Sequence, residues 1–408
     1  MTSSDFAARM AFVVALARRL HQYGTSAPRL EAAIDSVSAR LGLSCQPLST
    51  PTSILFSFTA ARGGGLAELT QVVRVAPGQD DLRNLCAVNE IADRVIDGAI
   101  GVEEGFRQLG QISDRLTPRR RVLEVTSYGI AAATVAAILH SSAVDVLAAG
   151  GIGTVVGVLA LSCDRRPRLR PALEAVCALF ATMAATLFSI YVTPLNGRAV
   201  VLASVIVLLP GLTLTTAVRE LSTQHLVSGV ARFAGAVTTL IKLAFGAVVA
   251  NELCLLLQLT PRLAVPAPLS PAAEWLALAF GTFAFAILIR AARRDIPTVM
   301  AAAMLGYLIT YYGGRQFTPE FGVFLAGLCI GALANLYSRF VRRPGAVIRV
   351  PGIILLVPGS VGFLSLSLIA QGDMSPGIGL AVSLVSILAC LVAGLLFGDI
   401  LIAPRRTL

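Results

Sequence analysis

From about Val122 to about Ala403, apolar runs long enough to cross a bilayer follow one another almost without interruption. In lipid every backbone N–H and C=O must be satisfied within the segment or by its neighbours, so such runs fold as helices. A crossing needs about 20 residues. Ten runs qualify: about 122–141, 143–163, 171–193, 198–217, 229–257, 273–291, 296–313, 317–341, 345–368 and 376–403. Only 14% of the chain is charged, against about 25% in a soluble protein. The deficit lies mainly after residue 118, so the expected fold is a polytopic α-helical membrane protein with a soluble domain over 1–118. Apolar residues 6–17 precede Arg18-Arg19 with no basic segment before them, which reads as a helix of that domain and not a signal peptide.

Two of the runs are broken near their middle by Pro-Gly. One reads Ser204-Val205-Ile206-Val207-Leu208-Leu209-Pro210-Gly211, the other Gly352-Ile353-Ile354-Leu355-Leu356-Val357-Pro358-Gly359. Proline removes a donor and clashes with the preceding turn, so each break belongs inside a bundle or beside a cavity. The breaks belong to a longer register. At an offset of 148, Gly197 meets Gly345, Ile206 meets Ile354, Gly229 meets Gly377, Leu240 meets Leu388 and Gly246 meets Gly394. Each half, 122–257 and 273–403, then holds five helices, and an odd number inverts the second half.

Arginines give the orientation. Arg119 to Arg121, Arg165 to Arg170, Arg219, Arg290 to Arg294, Arg339 to Arg349, and Arg405-Arg406 fall on alternate ends of the runs, while the other ends carry only Arg198, Arg262 and Arg315. That is a positive-inside pattern, which puts both termini and the soluble domain in the cytoplasm. It also accounts for the net charge of +10 without nucleic-acid binding. The seven cysteines and three histidines show no metal spacing, so neither metal nor cofactor is expected.

Within 1–118, helices are expected over Phe6–Gln22 and Ala27–Leu41, strands over Ser44–Leu48, Ser53–Ala60 and Leu66–Val75, and closing helices over Asp81–Asp97 and Val102–Leu116. Arg62-Gly63-Gly64-Gly65 reads as a hairpin turn. Ser53, His21 and Asp35 are residue types of hydrolases, but no nucleophile or metal motif surrounds them.

Inverted repeats with discontinuous helices suit alternating access, with substrate near the midplane where the repeats meet. Pro210, Gly211, Thr213, Thr215, Thr216, Pro358, Gly359 and Ser360 are therefore the candidate substrate-binding residues. Free helix N-termini there suit a carboxylate. The hydroxyls either bind substrate or satisfy carbonyls of a kinked helix. Lys242, the only lysine, lies about fourteen residues into an apolar run. It is a further substrate-binding candidate: its functional reading is a counter-charge for a carboxylate or a proton-coupled group, and its structural reading a pair with an acid or carbonyl. Glu252 and Asp399 lie near span ends, where solvation is expected; Asn335, Tyr307 and Tyr311 either line a path or bond between helices. Gly153/Gly157, Gly327/Gly331 and Gly394/Gly398 read as close helix contacts.

Tyr23-Gly24-Thr25-Ser26-Ala27-Pro28-Arg29-Leu30-Glu31, Thr50-Pro51-Thr52-Ser53-Ile54, Asp81-Leu82 with Val88-Asn89, and Val357-Pro358-Gly359-Ser360 resemble the threonine/serine exporter family in order along nearly the whole chain. Ala27-Pro28 departs from that family's Tyr/Arg-rich sequence. The resemblance implies ten transmembrane helices, a cytoplasmic N-terminal domain and proton-driven export of threonine, serine or a similar small carboxylate across the cytoplasmic membrane; relatives are linked to dicarboxylates. On this reading the chain is not an enzyme, and its partners are substrate, protons and lipid, with a homo-oligomer left open. The alternative is a membrane-anchored hydrolase or sensor acting through the N-terminal domain.

Overall fold

The computed structural model describes residues 3–62, 65–113, 117–163, 166, 168–264, 269–356 and 358–404. The hairpin tip Gly63-Gly64, the helix end at Leu116, Arg165, Val357 and Arg405-Arg406 lie outside the described residues.

The chain opens with α1 (Ser3–Gln22) and α2 (Ala27–Arg40), then β1 (Ser44–Thr50), β2 (Ser53–Arg62) and β3 (Gly65–Arg74), then α3 (Leu82–Ile96) and α4 (Val102–Gln111). The strands form one antiparallel sheet in the order β1-β2-β3, with Phe58 opposite Cys45 and Ile54 opposite Val73. Alternation decides which face is buried: Ile54, Phe56 and Phe58 sit in the core with Phe12, Leu16 and Leu30. On the other face Leu48 and Val72 stay exposed. Asp81 caps α3 by accepting the Asn84 N–H at 2.9 Å.

The apolar helices follow: α5 (Pro118–Ile138), α6 (Ala143–Cys163), α7 (Leu173–Tyr191), α8 (Gly197–Ser204), α9 (Gly211–Ser222), α10 (Leu226–Leu256), α11 (Pro271–Leu288), α12 (Ile296–Gln316), α13 (Pro319–Val341), α14 (Ala346–Ile354), α15 (Gly359–Ala370) and α16 (Met374–Leu401). Among the described residues nine helical stretches are long and apolar enough to cross a membrane, or ten if α8 and α9, bent by 51°, count as one broken span. The chain is thus a multi-pass membrane protein.

The glycine pairs mark close approach. A Cβ on Gly153 would come within 2.5 Å of Ala132 on α5, and one on Gly394 within 2.2 Å of the Phe324 carbonyl on α13. These contacts join α5 to α6 and α13 to α16 without bulk between the backbones.

Boundaries in the two halves share one register. Helices α9 and α15 start at Gly211 and Gly359, both 148 apart, and end at Ser222 and Ala370, again 148 apart. Helices α10 and α16 start at Leu226 and Met374 with the same spacing. Gly229 packs on Leu221 and Gly377 on Ile369, which are equivalent positions too.

The N-terminal unit sits directly on the membrane helices. Its apolar core continues into Ile289, Val299 and Val347. The Leu82 and Arg83 N–H groups, at the start of α3, donate to the carbonyls of Ile289 (3.1 Å) and Arg290 (3.2 Å), at the end of α11. Unpaired donors of one helix thereby satisfy unpaired acceptors of another. Glu220, near the end of α9 and fully buried, accepts from the Ala27 N–H (2.9 Å), Ser228 Oγ (2.7 Å) and Arg232 Nε (3.1 Å). His225 meets Glu31 at 3.1 Å beside it.

Candidate functional site: a cavity at the meeting of two broken helices

Proline 210 precedes α9 and Pro358 precedes α15. Neither can donate a backbone hydrogen bond, so each helix must begin immediately after it. The two breaks touch: a Cβ on Gly359 would lie 3.1 Å from the Leu209 Cβ and 3.3 Å from the Gly211 Cα. The helices leave this contact in opposite directions. Helix α9 meets the N-terminal unit near its end, at Glu220, whereas α14, which precedes Pro358, starts against that unit through Val347 and α15 continues away from it. The N-terminal turns of α9 and α15 therefore converge. The first N–H groups of each lack intrahelical partners, and both dipoles present their positive ends.

A cavity of about 400 Å³ borders this junction. Gly211, Thr213, Gly359 and Ser360 line one part of it. Glu124, Tyr128 and Arg290 supply its polar wall, and Gln79 and Asp80 reach it from the N-terminal unit. Arg290 Nε donates to Glu124 Oε1 at 2.9 Å, and Arg290 lies 3.7 Å from Asp81. The cavity so carries both charge signs beside hydroxyls and apolar walls, the usual make-up of a small-molecule site.

Asp80 is placed by two glycines. Gly24 has φ +86°, and a Cβ there would meet Asp80 Oδ1 at 2.7 Å. A Cβ on Gly78 would fall 2.0 Å from the His21 carbonyl. Only glycine lets this connection pass so close to the end of α1. Asp80 is partly buried, and burial pushes its carboxyl up to about 6 against the opposing pull of Arg232. It also lines a second cavity, which meets α9 at Thr215, Thr216 and Arg219.

Of the candidates named from sequence, Gly211, Thr213, Gly359 and Ser360 come together, with Pro210 and Pro358 setting the breaks. Thr215 and Thr216 face the second cavity, and the Thr215 hydroxyl donates to the Gly211 carbonyl at 3.2 Å, which satisfies a carbonyl in the first turn. Lys242 is elsewhere: its Nζ lies 2.7 Å from Glu174 Oε2 and 3.2 Å from the Pro171 carbonyl. Helix α10 has 31 residues, longer than a bilayer crossing, so a mid-helix position is not a mid-membrane one. Lys242 is level with the start of α7, on the same side as the N-terminal unit. Asp399, expected to be solvated, instead lies 2.5 Å from Arg219 and 2.8 Å from Arg349.

Glu124, Asp80 and Arg290 were not singled out from sequence. Arg290 appeared only as a span-end arginine, and its φ of 54° turns the chain at the end of α11. An acid–arginine pair between chain positions so far apart leaves no local pattern to read.

Comparison with known proteins places the chain. A family model described as a threonine/serine exporter matches residues 11–254, and a second threonine/serine exporter model matches 274–401. Pheromone-regulated membrane protein 10 of Zygosaccharomyces rouxii is 26% identical over 82% of this chain and 35% of its own length. The Saccharomyces cerevisiae protein of that name is 26% identical over 82% of this chain and 44% of its own. An uncharacterized protein of Schizosaccharomyces pombe is 25% identical over 93% and 50%, so the chain spans half or less of these relatives. No solved structure matches. Through the order of its broken helices and the family models that cover both halves, this chain belongs to the threonine/serine exporter family of membrane transporters.

Proposed function

We propose that the protein exports threonine, serine or a similar small carboxylate across the cytoplasmic membrane by alternating access coupled to protons. The observation that carries this reading is the contact between Gly211 and Gly359 at the edge of the cavity holding Arg290 and Glu124. The substrate carboxylate takes the converging helix N-termini and Arg290, its ammonium takes Glu124, and its hydroxyl takes Thr213 or Ser360. Arginine suits this because its planar fork matches a carboxylate.

In this reading residues 1–118 are a cytoplasmic α+β domain, and 122–257 and 273–403 are two inverted five-helix repeats. The shared 148-residue register of α9/α15 and α10/α16 supports the repeat, and the opposed directions of α9 and α15 support the inversion. The arginine-rich ends, on the side of the N-terminal unit, support a cytoplasmic location for both termini. Asp80 approaches the cavity from that side, which supports reading the arrangement as inward-facing. Asp80, titrating near 6, is the group we assign to proton coupling.

Efflux of labelled threonine from proteoliposomes, with and without a pH gradient, tests the proposal. Gradient-dependent efflux that Thr213→Val with Ser360→Ala weakens is the expected result. Efflux no faster than from protein-free vesicles for threonine, serine and small carboxylates alike refutes it.

A further inference from the structure

A second cavity, of about 320 Å³, lies between the N-terminal unit and the broken spans. Three arginines reach it from three elements: Arg29 on α2, Arg219 on α9 and Arg349 on α14. Asp399 answers two of them, 2.5 Å from Arg219 Nη2 and 2.8 Å from Arg349 Nη2. Asn335 holds that arrangement by donating to Asp399 Oδ1 at 2.7 Å and accepting from Arg349 Nη2 at 3.0 Å. Asp399 is thereby committed, and its charge balances only one guanidinium.

Arg349 is 5% exposed, yet its Nε and Nη1 have no hydrogen-bond partner among the described residues. The Thr25 hydroxyl, on the same cavity, is in the same position. Buried donors are nearly always paired, and a charged one left open is costly. Arg29 feels the surplus: burial and then neighbouring Arg219 hold its guanidinium down at about 10. The other carboxyl on this wall, Asp80, is pushed by burial only to about 6, so at neutral pH it offsets one more guanidinium.

We infer that this cavity binds a small oxyanion, a carboxylate or phosphate compound, across Arg29, Arg219 and Arg349. The charge balance sets the class, since three guanidiniums against Asp399 and Asp80 leave a net positive charge. Open N–H groups of Arg349 supply the oxygen contacts, and arginine forks favour such planar or tetrahedral oxyanions. One ligand would bridge the N-terminal unit to both broken spans, fastening the unit in place. The site shares Asp80 and Leu212 with the cavity at the two breaks, but its three arginines line it alone, and it does not depend on the exporter reading.

The test uses the full chain in detergent and thermal unfolding in inorganic phosphate, in a simple dicarboxylate, and in chloride of matched ionic strength. A saturable rise in Tm with phosphate, dicarboxylate or both, absent in chloride, is expected. Response to one alone identifies the phosphate or the carboxylate as the source. Arg29→Gln, which leaves the Asp399 pairs intact, abolishes the rise while the protein stays folded. Arg349→Gln weakens the response about tenfold or more; should it fail to fold, Arg29→Gln decides alone. Thr213→Val in the other cavity keeps the rise, so failure of transport and failure of this site are told apart. No saturable rise with either anion, or an equal rise in Arg29→Gln, overturns the inference.

Discussion

Replacing Gly359 by alanine tests whether contact between the two breaks matters for transport. The added Cβ would sit 3.1 Å from the Leu209 Cβ and 3.3 Å from both the Cα and N of Gly211. Ordinary carbon contacts lie at about 3.5–4.0 Å, so the junction must open by a few tenths of an ångström. Two of the three neighbours are backbone atoms beside the rigid ring of Pro210, which cannot rotate away as a side chain would. Overpacking of this kind costs about 1–3 kcal/mol. Where that cost falls on the arrangement with the breaks in contact and not on the alternative, the equilibrium between them shifts about 5–150-fold. Threonine efflux should fall by a comparable factor, with the protein still monodisperse. Gly379→Ala on α16 is the control, because nothing lies within 4 Å of its Cβ; it should stabilise the helix by about 0.5–1 kcal/mol and leave efflux alone. If Gly359→Ala is folded and transports like the parent, or if Gly379→Ala is equally damaging, the junction is not the site.

Asp80→Asn should flatten the pH dependence of efflux around pH 6, as read from rates in matched buffers between pH 5 and 8. The same group predicts a stability slope: its native carboxyl titrates near 6 and its unfolded one near the usual value, so the native state binds the extra proton between them. Stability then declines as pH rises from about 4 to about 6, by an amount on the order of 3 kcal/mol, and Asp80→Asn removes that decline in pH-resolved melting curves. Arg290→Gln leaves the buried Glu124 without its arginine, costing about 3–5 kcal/mol in melting experiments; Glu124→Gln should cost less because Arg290 keeps Asp81 beside it, and the double variant should lose less than the sum. Lys242→Ala, which breaks only a part-exposed pair with Glu174, should change stability by about 1 kcal/mol or less and efflux by no more than about twofold.

The helices were legible because lipid allows few alternatives: a sustained apolar run must be a helix, and Pro-Gly inside it must break one. The two helix starts after the breaks were legible for the same reason, since Gly211 and Gly359 open α9 and α15. Depth was not. Lys242 was placed from the start of its apolar run, but α10 reaches past the start of α7 toward His225 and Glu31. Charge pairing was not legible either. Arg349 counted as one more arginine at a span end, while in space it meets Asp399 and Asn335 from another helix pair. Sequence patterns report which face of a helix is apolar; they carry no information about which distant carboxylate completes a guanidinium.

The placement of those charges makes the N-terminal unit part of both cavities. Asp80 lines each of them, Arg29 lines one, and Gln79 lines the other. The membrane contacts of the unit fall on the same moving parts that the exporter reading requires. Glu220 holds the start of α2 and stands on α9, directly beyond the first break, while Val347 shares the unit's core and stands on α14, directly before the second. A rearrangement that separated Gly211 from Gly359 would displace the far ends of both helices and so strain or release these contacts. Conversely, anything that tightened the unit against α9 and α14 would resist opening of the junction. The coupling needs no long relay, because the two sets of contacts are opposite ends of the same two short helices.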